Sequence, residues 1–352
     1  MCYFCLVNIH EIYIKRCIEL SKNGLPSAMP NPSVGAVIVY ENKIIGEGFT
    51  AEYGGNHAEV NAIQSVKDKS LLSKANLYVS LEPCSHFGKT PPCCDLIIKH
   101  KIPDVIIGTI DPHSKVAGSG IQRLQENGVN VTVGVLEKEC MEINKRFFTF
   151  HNKKRPYIIL KWAESQDRFI TPLAKNKKEP VWISNEFSRQ LVHKWRSEEQ
   201  AILVGTNTVL EDNPQLDVRD WKGKNPIRIV LDRHGKITKN YAVKNEKTKT
   251  IFITEQENLT SSENCIYENA IFDVQFTKTI VRILHKYKIQ SVLIEGGRQT
   301  LQSFIDDNLW DEARVFTGNI HLKNGISAPV LNGNFQLKNI KDDQLKLYFN
   351  HD

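Results

Sequence analysis

Strand-sized apolar runs alternate with amphipathic helical stretches along almost the whole chain, and this alternation constrains the fold more than any other feature. Glu11 to Asn23 has helical spacing and stops at Gly24 and Pro26, while Val34 to Tyr40 and Lys43 to Phe49 read as strands joined through a tight Glu41-Asn42 turn. The spacing then predicts a helix from His57 to Lys67, a strand over Asn76 to Leu81, a helix over Cys93 to His100, and a strand over Val105 to Ile110. A helix over Gly120 to Asn127 and a strand over Val129 to Val135 follow. Such alternation predicts an α/β layered sheet.

The pattern breaks in the basic, polar stretch Asn144 to Pro156 and then restarts, with strands over Tyr157 to Trp162, Ala201 to Val204, Ile227 to Leu231, Thr250 to Thr254, Ser291 to Ile294 and Ala313 to Phe316. Asn185 to Arg196 is helix-like, and Lys236 to Lys249 and Glu255 to Glu268 read as polar surface loops. The 352 residues exceed one usual core, so two α/β domains are expected, 1–150 and 151–352.

Composition narrows the class. No apolar run approaches the roughly 18 residues of a membrane helix. The opening MCYFCLVNIHEI has no basic residue before its apolar patch and no small-residue cleavage site, so a secretory signal is not expected. Eight irregularly spaced cysteines do not resemble a disulfide framework and point to a reducing cytoplasm. The net charge of +6 resides in the second half: residues 1–150 carry 15 basic and 15 acidic side chains, residues 151–352 carry 31 and 25. A nucleic-acid binder would concentrate basic residues on its working domain; neither a nucleic acid nor a membrane is expected as a partner. Assembly into a homo-oligomer is compatible with the sequence but not fixed by it.

Within the first half, His57-Ala58-Glu59, Pro83-Cys84 and Cys93 form a constellation. H-x-E followed by P-C-x-x-C marks zinc nucleobase deaminases. One imidazole and two thiolates fill three corners of a tetrahedral Zn²⁺ and leave the fourth for water, whose pKa falls towards about 7. Glu59 then serves as the proton carrier rather than a ligand, and Asn56 is placed to cap the helix that starts beside it. The spacing departs from the short signature: the thiols stand nine positions apart, in PCSHFGKTPPCC. Thr90-Pro91-Pro92 reads as a cap and first turn that put Cys93 at a helix start, where a thiolate is favoured, with Cys94 turned about 100° away. A closed structural zinc site would need a fourth protein ligand, for which His86 is the candidate. The residues alone leave the deaminated base open among a free nucleoside, a nucleotide and a tRNA base.

PNPSVGAVIV (Pro30 to Val39), HAE, EPCSHFGKTPPCCDLII (Glu82 to Ile98) and DPHSKVAGSG (Asp111 to Gly120) together resemble the bifunctional riboflavin-biosynthesis deaminase/reductase family, and the resemblance runs through the second half. It implies a cytidine-deaminase-like three-layer domain followed by a dihydrofolate-reductase-like α/β domain. The first would hydrolyse a ring amino group of a phosphoribosylated diaminopyrimidinone, by zinc-bound hydroxide, to give the uracil. The second would use NADPH to reduce the ribosyl group to ribityl.

The same resemblance implies that Asn31, His86, Lys89 and Asp111 contact the substrate in the first domain. In the second, VWISNEFSRQLVHKWRSEEQAILVGTNTVLEDNPQLDVR (Val181 to Arg219) and SVLIEGGRQT (Ser291 to Thr300) carry it. There Ala163, Trp182, Thr208 and Asp212, with Gly297, Arg298, Gln299, Thr300, Leu301, Gln302 and Ser303, are implied along the cofactor. Arg196, Leu216, Arg219 and Glu295 are implied against the substrate, the two arginines as forked cations suited to a phosphate. A strand, a Gly-Gly turn and a helix start let backbone amides approach a pyrophosphate. The chain departs from the family at His113, where Asn is usual, at Arg168, where Gly is usual, and at Pro180, where a substrate-contacting Ser is common.

Overall fold

The computed structural model describes residues 8–87, 91–112, 117–174 and 181–350. The chain divides into two compact units between Lys154 and Arg155. The first contains helices α1 (Ile9–Ser21), α2 (Ala58–Ser65), α3 (Cys93–Lys99), α4 (Ser119–Glu126), α5 (Glu137–Ile143) and α6 (Lys145–Lys153). Its strands are β1 (Gly35–Tyr40), β2 (Lys43–Phe49), β3 (Asn76–Leu81), β4 (Asp104–Thr109) and β5 (Asn130–Val133), in sheet order β2-β1-β3-β4-β5. The β1–β2 and β1–β3 pairs are antiparallel, while β3, β4 and β5 run parallel.

Alternation along the strands sends side chains to opposite faces. Ala36, Ile38, Leu77, Val79, Leu81, Val105 and Ile107 meet Ala58, Ala62 and Ile63 of α2, Ile97 of α3 and Leu124 of α4. Val37, Val39, Tyr78 and Ile106 meet Tyr13, Ile14, Cys17 and Leu20 of α1 and Cys140 of α5. The result is a three-layer α/β/α unit. Glu41 and Asn42 both have positive φ (48° and 59°), the requirement of a tight two-residue hairpin whose twist matches the strands.

The basic, polar stretch from Asn144, which has no clear periodicity in the sequence, is largely helical up to the division between the units. Lys145–Lys153 is helical, with Phe147, Phe148 and Phe150 buried among its basic residues. Three aromatic anchors on a short helix outweigh its charged surface.

The second unit contains helices α7 (Glu186–Glu198), α8 (Thr206–Asp212), α9 (Phe276–Lys286) and α10 (Arg298–Asp306). Its main-sheet strands are β6 (Tyr157–Glu164), β8 (Ala201–Gly205), β9 (Ile227–Leu231), β10 (Thr250–Thr254), β11 (Cys265–Asn269), β12 (Ser291–Ile294), β13 (Glu312–Thr317), β15 (Phe335–Ile340) and β16 (Asp343–Phe349). They form one nine-stranded sheet, β11-β10-β9-β8-β12-β6-β13-β16-β15, parallel as far as β13 and then antiparallel. A two-stranded ribbon pairs β7 (Phe169–Thr171) with β14 (Ile326–Ser327).

One face of the large sheet packs on Ile280, Ile283 and Leu284 of α9 and Leu301 and Phe304 of α10. The other packs on Val192 and Trp195 of α7 and Val209 of α8. The expected loop over Glu255 to Glu268 gives way in part to β11: Cys265–Asn269 pairs in parallel register with β10, from Thr250↔Cys265 to Thr254↔Asn269. As an edge strand, β11 is mostly half-buried and lacks the apolar density by which the central strands declare themselves.

A metal centre and a cofactor cleft

The first candidate site lies at the carboxyl ends of the parallel strands, where ligands of open α/β sheets gather. α2 is pressed onto β2 through Gly48, where a Cβ would meet Ala62 N at 2.4 Å and Ala58 O at 2.5 Å, so only glycine permits the approach. The ammonium of Lys69 closes the other end of α2, donating to the carbonyls of Ile63, Gln64 and Val66. His57, not Asn56, is the residue that begins the helix; the Asn56 amide instead donates to Asn61 Oδ1 (3.2 Å) and Gln64 Oε1 (3.3 Å). The imidazole therefore projects past the helix end, and Glu59 sits buried in the first turn.

β3 ends at Leu81 and delivers Glu82, Pro83 and Cys84; α3 begins with Cys93. The Cys93 amide donates to Cys84 Sγ (3.3 Å) and the Cys94 amide to Cys84 O (3.2 Å). His57 Nδ1 lies 3.5 Å from Cys84 Sγ and 3.4 Å from Cys93 Sγ. Tetrahedral zinc with ordinary Zn–S and Zn–N bonds requires nitrogen–sulfur edges of roughly 3.6 Å, so the donors fit that metal in type and spacing. Among the described residues, these three alone form a group of His, Cys, Asp and Glu donors close enough to share an ion. His86 is exposed and outside the group, which leaves the closed four-ligand alternative without its fourth member among the described residues. Cys94 Sγ points elsewhere, towards Pro83 O (3.4 Å) and Gly120 O (3.6 Å).

Burial pushes the Glu59 carboxyl up to about 7, the Cys84 sulfur adding to the effect and His57 opposing it. Its partner in the cluster, Cys84, is lowered to about 4, chiefly by hydrogen bonds from Cys93 and His57 against the cost of burial. A thiolate beside an imidazole and a carboxyl able to gain or lose a proton near neutrality is the electrostatic pattern of a metal-assisted acid–base site.

Of the other residues implied in this unit, Asp111 is buried just beyond β4 and Asn31 is half-buried in the turn before β1. The turn is fixed by Asn144, whose amide accepts from Ser33 N (2.8 Å) and donates to Ser33 O (2.9 Å). Lys89, Thr90 and the departure at His113 lie outside the described residues, as does Pro180 in the second unit.

Sequence reasoning missed Glu82. Its buried carboxylate accepts from the amides of Asp111 (3.2 Å), Gly118 (3.0 Å), Gly120 (2.9 Å) and Ile121 (3.3 Å), holding Asp111 and the 118–121 turn against the strand end that presents Cys84. An acidic residue immediately before Pro-Cys at the end of an apolar strand was the available signal.

The second site is a cavity of about 1540 Å³ at the carboxyl edge of β6, β8, β9 and β12. Ala163, Trp182, Thr208, Asp212, Gly297, Arg298, Gln299, Thr300, Gln302 and Ser303 line it, as do Arg196, Leu216, Arg219 and Glu295. Leu301 does not: its side chain is fully buried on the opposite face of α10, packed with Phe304 in the core, which leaves only its backbone for the implied cofactor contact. The approach at Gly296 is close: a Cβ there would come within 3.1 Å of Thr300 Cβ and 3.3 Å of Gly205 N, and those neighbours would have to give by a few tenths of an ångström.

Arg196 differs from the expectation of a free fork. Its Nε and Nη2 donate to Glu295 Oε1 (2.8 Å) and Oε2 (2.9 Å), and Nη1 donates to Asp217 O (3.2 Å). Lys161 Nζ approaches the same carboxylate at 3.5 Å. Burial would raise the Glu295 pKa, but the two cations outweigh it and hold the group at about 2. Arg219 is the more available guanidinium, exposed and held through Nη1 to Asp217 Oδ1 (2.9 Å). At the departure Arg168, φ is +62°, the conformation for which the family's glycine is suited; the side chain donates to Pro329 O (3.1 Å).

Comparison with known proteins matches each unit to a family model. A family model described as the cytidine and deoxycytidylate deaminase zinc-binding region matches residues 7–109. One described as the RibD C-terminal domain matches residues 156–346. The chain is 38% identical over 328 residues to riboflavin biosynthesis protein RibD of Aquifex aeolicus, covering 91% of this chain and 89% of the relative. It is 36% identical to the RibD of Bacillus amyloliquefaciens, over 95% and 91% of the two chains. Among solved structures, the Thermotoga maritima diaminohydroxyphosphoribosylaminopyrimidine deaminase/5-amino-6-(5-phosphoribosylamino)uracil reductase superposes with a TM-score of 0.86 at 37% identity, over 96% of this chain and 98% of that one.

Proposed function

The chain belongs to the RibD family of bifunctional riboflavin-biosynthesis deaminase/reductases, and from that membership we propose how its own residues divide the work. It is an enzyme with a zinc-binding deaminase domain and an NADPH-dependent reductase domain. The substrate is 2,5-diamino-6-(5-phosphoribosylamino)pyrimidin-4-one; the first domain converts it to 5-amino-6-(5-phosphoribosylamino)uracil, and the second reduces the ribosyl group to ribityl. Residues 1–150 carry the deaminase and residues 151–352 the reductase.

His57, Cys84 and Cys93 hold the metal. Bound zinc supplies Lewis acidity that brings the pKa of a water towards about 7. Glu59 carries the two protons of the attacking water in turn: the first goes to the ring nitrogen as the C–O bond forms, and the second, from the resulting hydroxyl, goes to the amino group, which leaves as ammonia as the C–N bond breaks and the carbonyl forms. Asn31, His86, Lys89 and Asp111 orient the pyrimidine and its phosphate. In the reductase domain NADPH supplies the hydride. Ala163, Trp182, Thr208 and Asp212 hold the cofactor, and the amides at the start of α10 take its pyrophosphate, with Gly297 to Thr300, Gln302 and Ser303 lining the path. Arg219 pairs with the ribose phosphate, Leu216 packs on the substrate, and Arg196 acts through Glu295.

The enzyme works in the cytoplasm on a small molecule, without nucleic acid or membrane as partner. Supporting this are the equal basic and acidic counts of residues 1–150 and the lack, among the described residues, of any helix long and apolar enough to cross a membrane. Any homo-oligomer would be read directly by light scattering.

The observation that carries the proposal is the three-donor cluster with Glu59 buried beside it and, among the described residues, no fourth protein ligand in the group. Metal analysis paired with Glu59→Gln tests it. The expected result is one zinc per chain in both proteins, ammonia release from the diaminopyrimidinone phosphate lost only in the variant, and reduction of the deaminated intermediate unchanged. A metal-free, fully active wild type, or ammonia released faster from cytidine or tRNA, would overturn it.

A further inference from the structure

We propose that His193 is a positioning residue of the reductase, latching the 213–220 loop so that Leu216 and Arg219 face the substrate. This rests on the reading above that places those two side chains against the ribosyl phosphate.

The loop holds an unfavourable conformation. Leu216 has φ of +53°, a left-handed backbone that a leucine rarely adopts unless its surroundings impose it. Its side chain is 2% exposed, packed with Ile202, Val204 and Val230, which anchors one side of the bend. The other side is anchored from α7. His193 Nδ1 lies 3.0 Å from Asp217 O and 3.4 Å from Arg219 N, and one helical turn later Arg196 Nη1 donates to the same Asp217 carbonyl at 3.2 Å. Residues three apart on a helix share a face, so α7 presents both side chains to the one peptide segment that follows Leu216.

His193 is 4% exposed and lines the cavity, yet both ring nitrogens face the protein: Nδ1 the 217–219 backbone and Nε2 Asp220 Oδ2 at 3.3 Å. Either neutral tautomer ties the ring to the loop, by donating to Asp217 O or by accepting the Arg219 amide hydrogen. Burial, with Arg196 and Arg219 nearby, lowers its pKa against the pull of Asp220, favouring a neutral ring at neutral pH. Releasing this latch lets the backbone at 216 relax to a common φ, which rotates Leu216 and withdraws Arg219 without touching the nicotinamide end of the cavity.

Two amides separate the ring nitrogens: asparagine places a polar group near the Nδ1 position, glutamine near the Nε2 position. In the full-length, zinc-loaded enzyme, with 5-amino-6-(5-phosphoribosylamino)uracil and NADPH, His193→Gln should raise KM for the uracil substrate about 10-fold or more. Its kcat and its Kd for NADPH should stay within about 3-fold, the latter certifying a folded second unit. His193→Asn should keep KM within about 3-fold of wild type, and so should Asp220→Asn, whose half-exposed side chain meets only Nε2. Equal KM increases for His193→Asn and His193→Gln, or none for either, or a rise for Asp220→Asn matching His193→Gln, would each overturn the latch. Arg219→Gln is measured alongside: if its KM does not rise, the substrate assignment of the loop fails, whereas a rise there with none in His193→Gln sinks only the role of His193.

Discussion

Glu82 Oε1 accepts a 2.9 Å hydrogen bond from the amide of Gly120, joining the end of β3 to the first turn of α4 two residues before Cys84 emerges. A side chain at 120 has no room, since its Cβ would sit 2.1 Å from Pro83 O. The carboxylate, serving three further amides, is the fixed point around which the second half of the metal site is assembled. Glu82→Gln turns an amide group towards those N–H donors and satisfies fewer of them. The expected cost is about 3 kcal/mol of stability in the first unit. Zinc should be lost to a competing chelator more readily than from wild type, while reduction of the deaminated intermediate continues at the wild-type rate.

Gly48 tests the placement of Glu59 from a distance. A methyl group there would meet backbone atoms of Ala58 and Ala62, so α2 must shift by roughly 1 Å to accept it. A displacement of that size at a reacting group costs on the order of 100-fold in rate. Gly48→Ala is therefore expected to fold, to lower ammonia release about 100-fold, and to leave NADPH oxidation by the second unit unchanged. Wild-type ammonia release would show that α2 is not held at this point.

The parts of the fold that could be read from the chain are those in which local pattern and tertiary burial agree. β2, β3, β9, β10 and β12 have the bounds expected from their apolar runs, and the tight turn at Glu41-Asn42 is where the two patterns meet. α6 and β11 were missed because their anchoring residues are few and scattered among charges, so only the finished sheet explains them. At the metal site, the donor types and the turning of Cys94 follow from chemistry and from the 3.6-residue period. Glu82 and Asn144 do not, because each bonds backbone groups brought near by folding, Asn144 across 111 residues of sequence. The engagement of Arg196 by Glu295 is likewise a meeting across 99 residues, invisible to any local motif.

Cys93 and Cys94 are neighbours with opposite assignments, which a pair of serine variants separates. Cys93 Sγ faces His57 Nδ1 at 3.4 Å, whereas Cys94 Sγ faces two backbone carbonyls in the core. Cys93→Ser should reduce the zinc content well below one per chain and abolish deamination. Cys94→Ser should retain both, at a cost of about 1 kcal/mol for a hydroxyl replacing a buried thiol. Zinc analysis after gel filtration, with ammonia release on the same samples, distinguishes them; zinc loss in Cys94→Ser alone would reassign the ligand.

The buried group Lys161, Arg196 and Glu295 makes the second unit sensitive to acid in a calculable way. Burial by itself would raise the Glu295 pKa, but Arg196 and Lys161 bring it from 4.5 to about 2. The unfolded chain then binds this proton at higher pH than the folded chain does. The carboxylate's contribution is therefore complete above about pH 4.5 and drains away as the pH falls towards 2, amounting to about 3 kcal/mol across that window. Glu295→Gln removes the titrating group and leaves two buried cations without their counter-charge, which should lower stability at neutral pH by about 3 to 5 kcal/mol. Urea unfolding followed between pH 6 and 2.5 (~0.5-unit steps) should accordingly show the wild-type and Glu295→Gln curves far apart near neutrality and converging below about pH 4. If the two curves remain parallel throughout, Glu295 titrates alike in the folded and unfolded chains, and its coupling to Arg196 and Lys161 is not what holds the floor of the cavity.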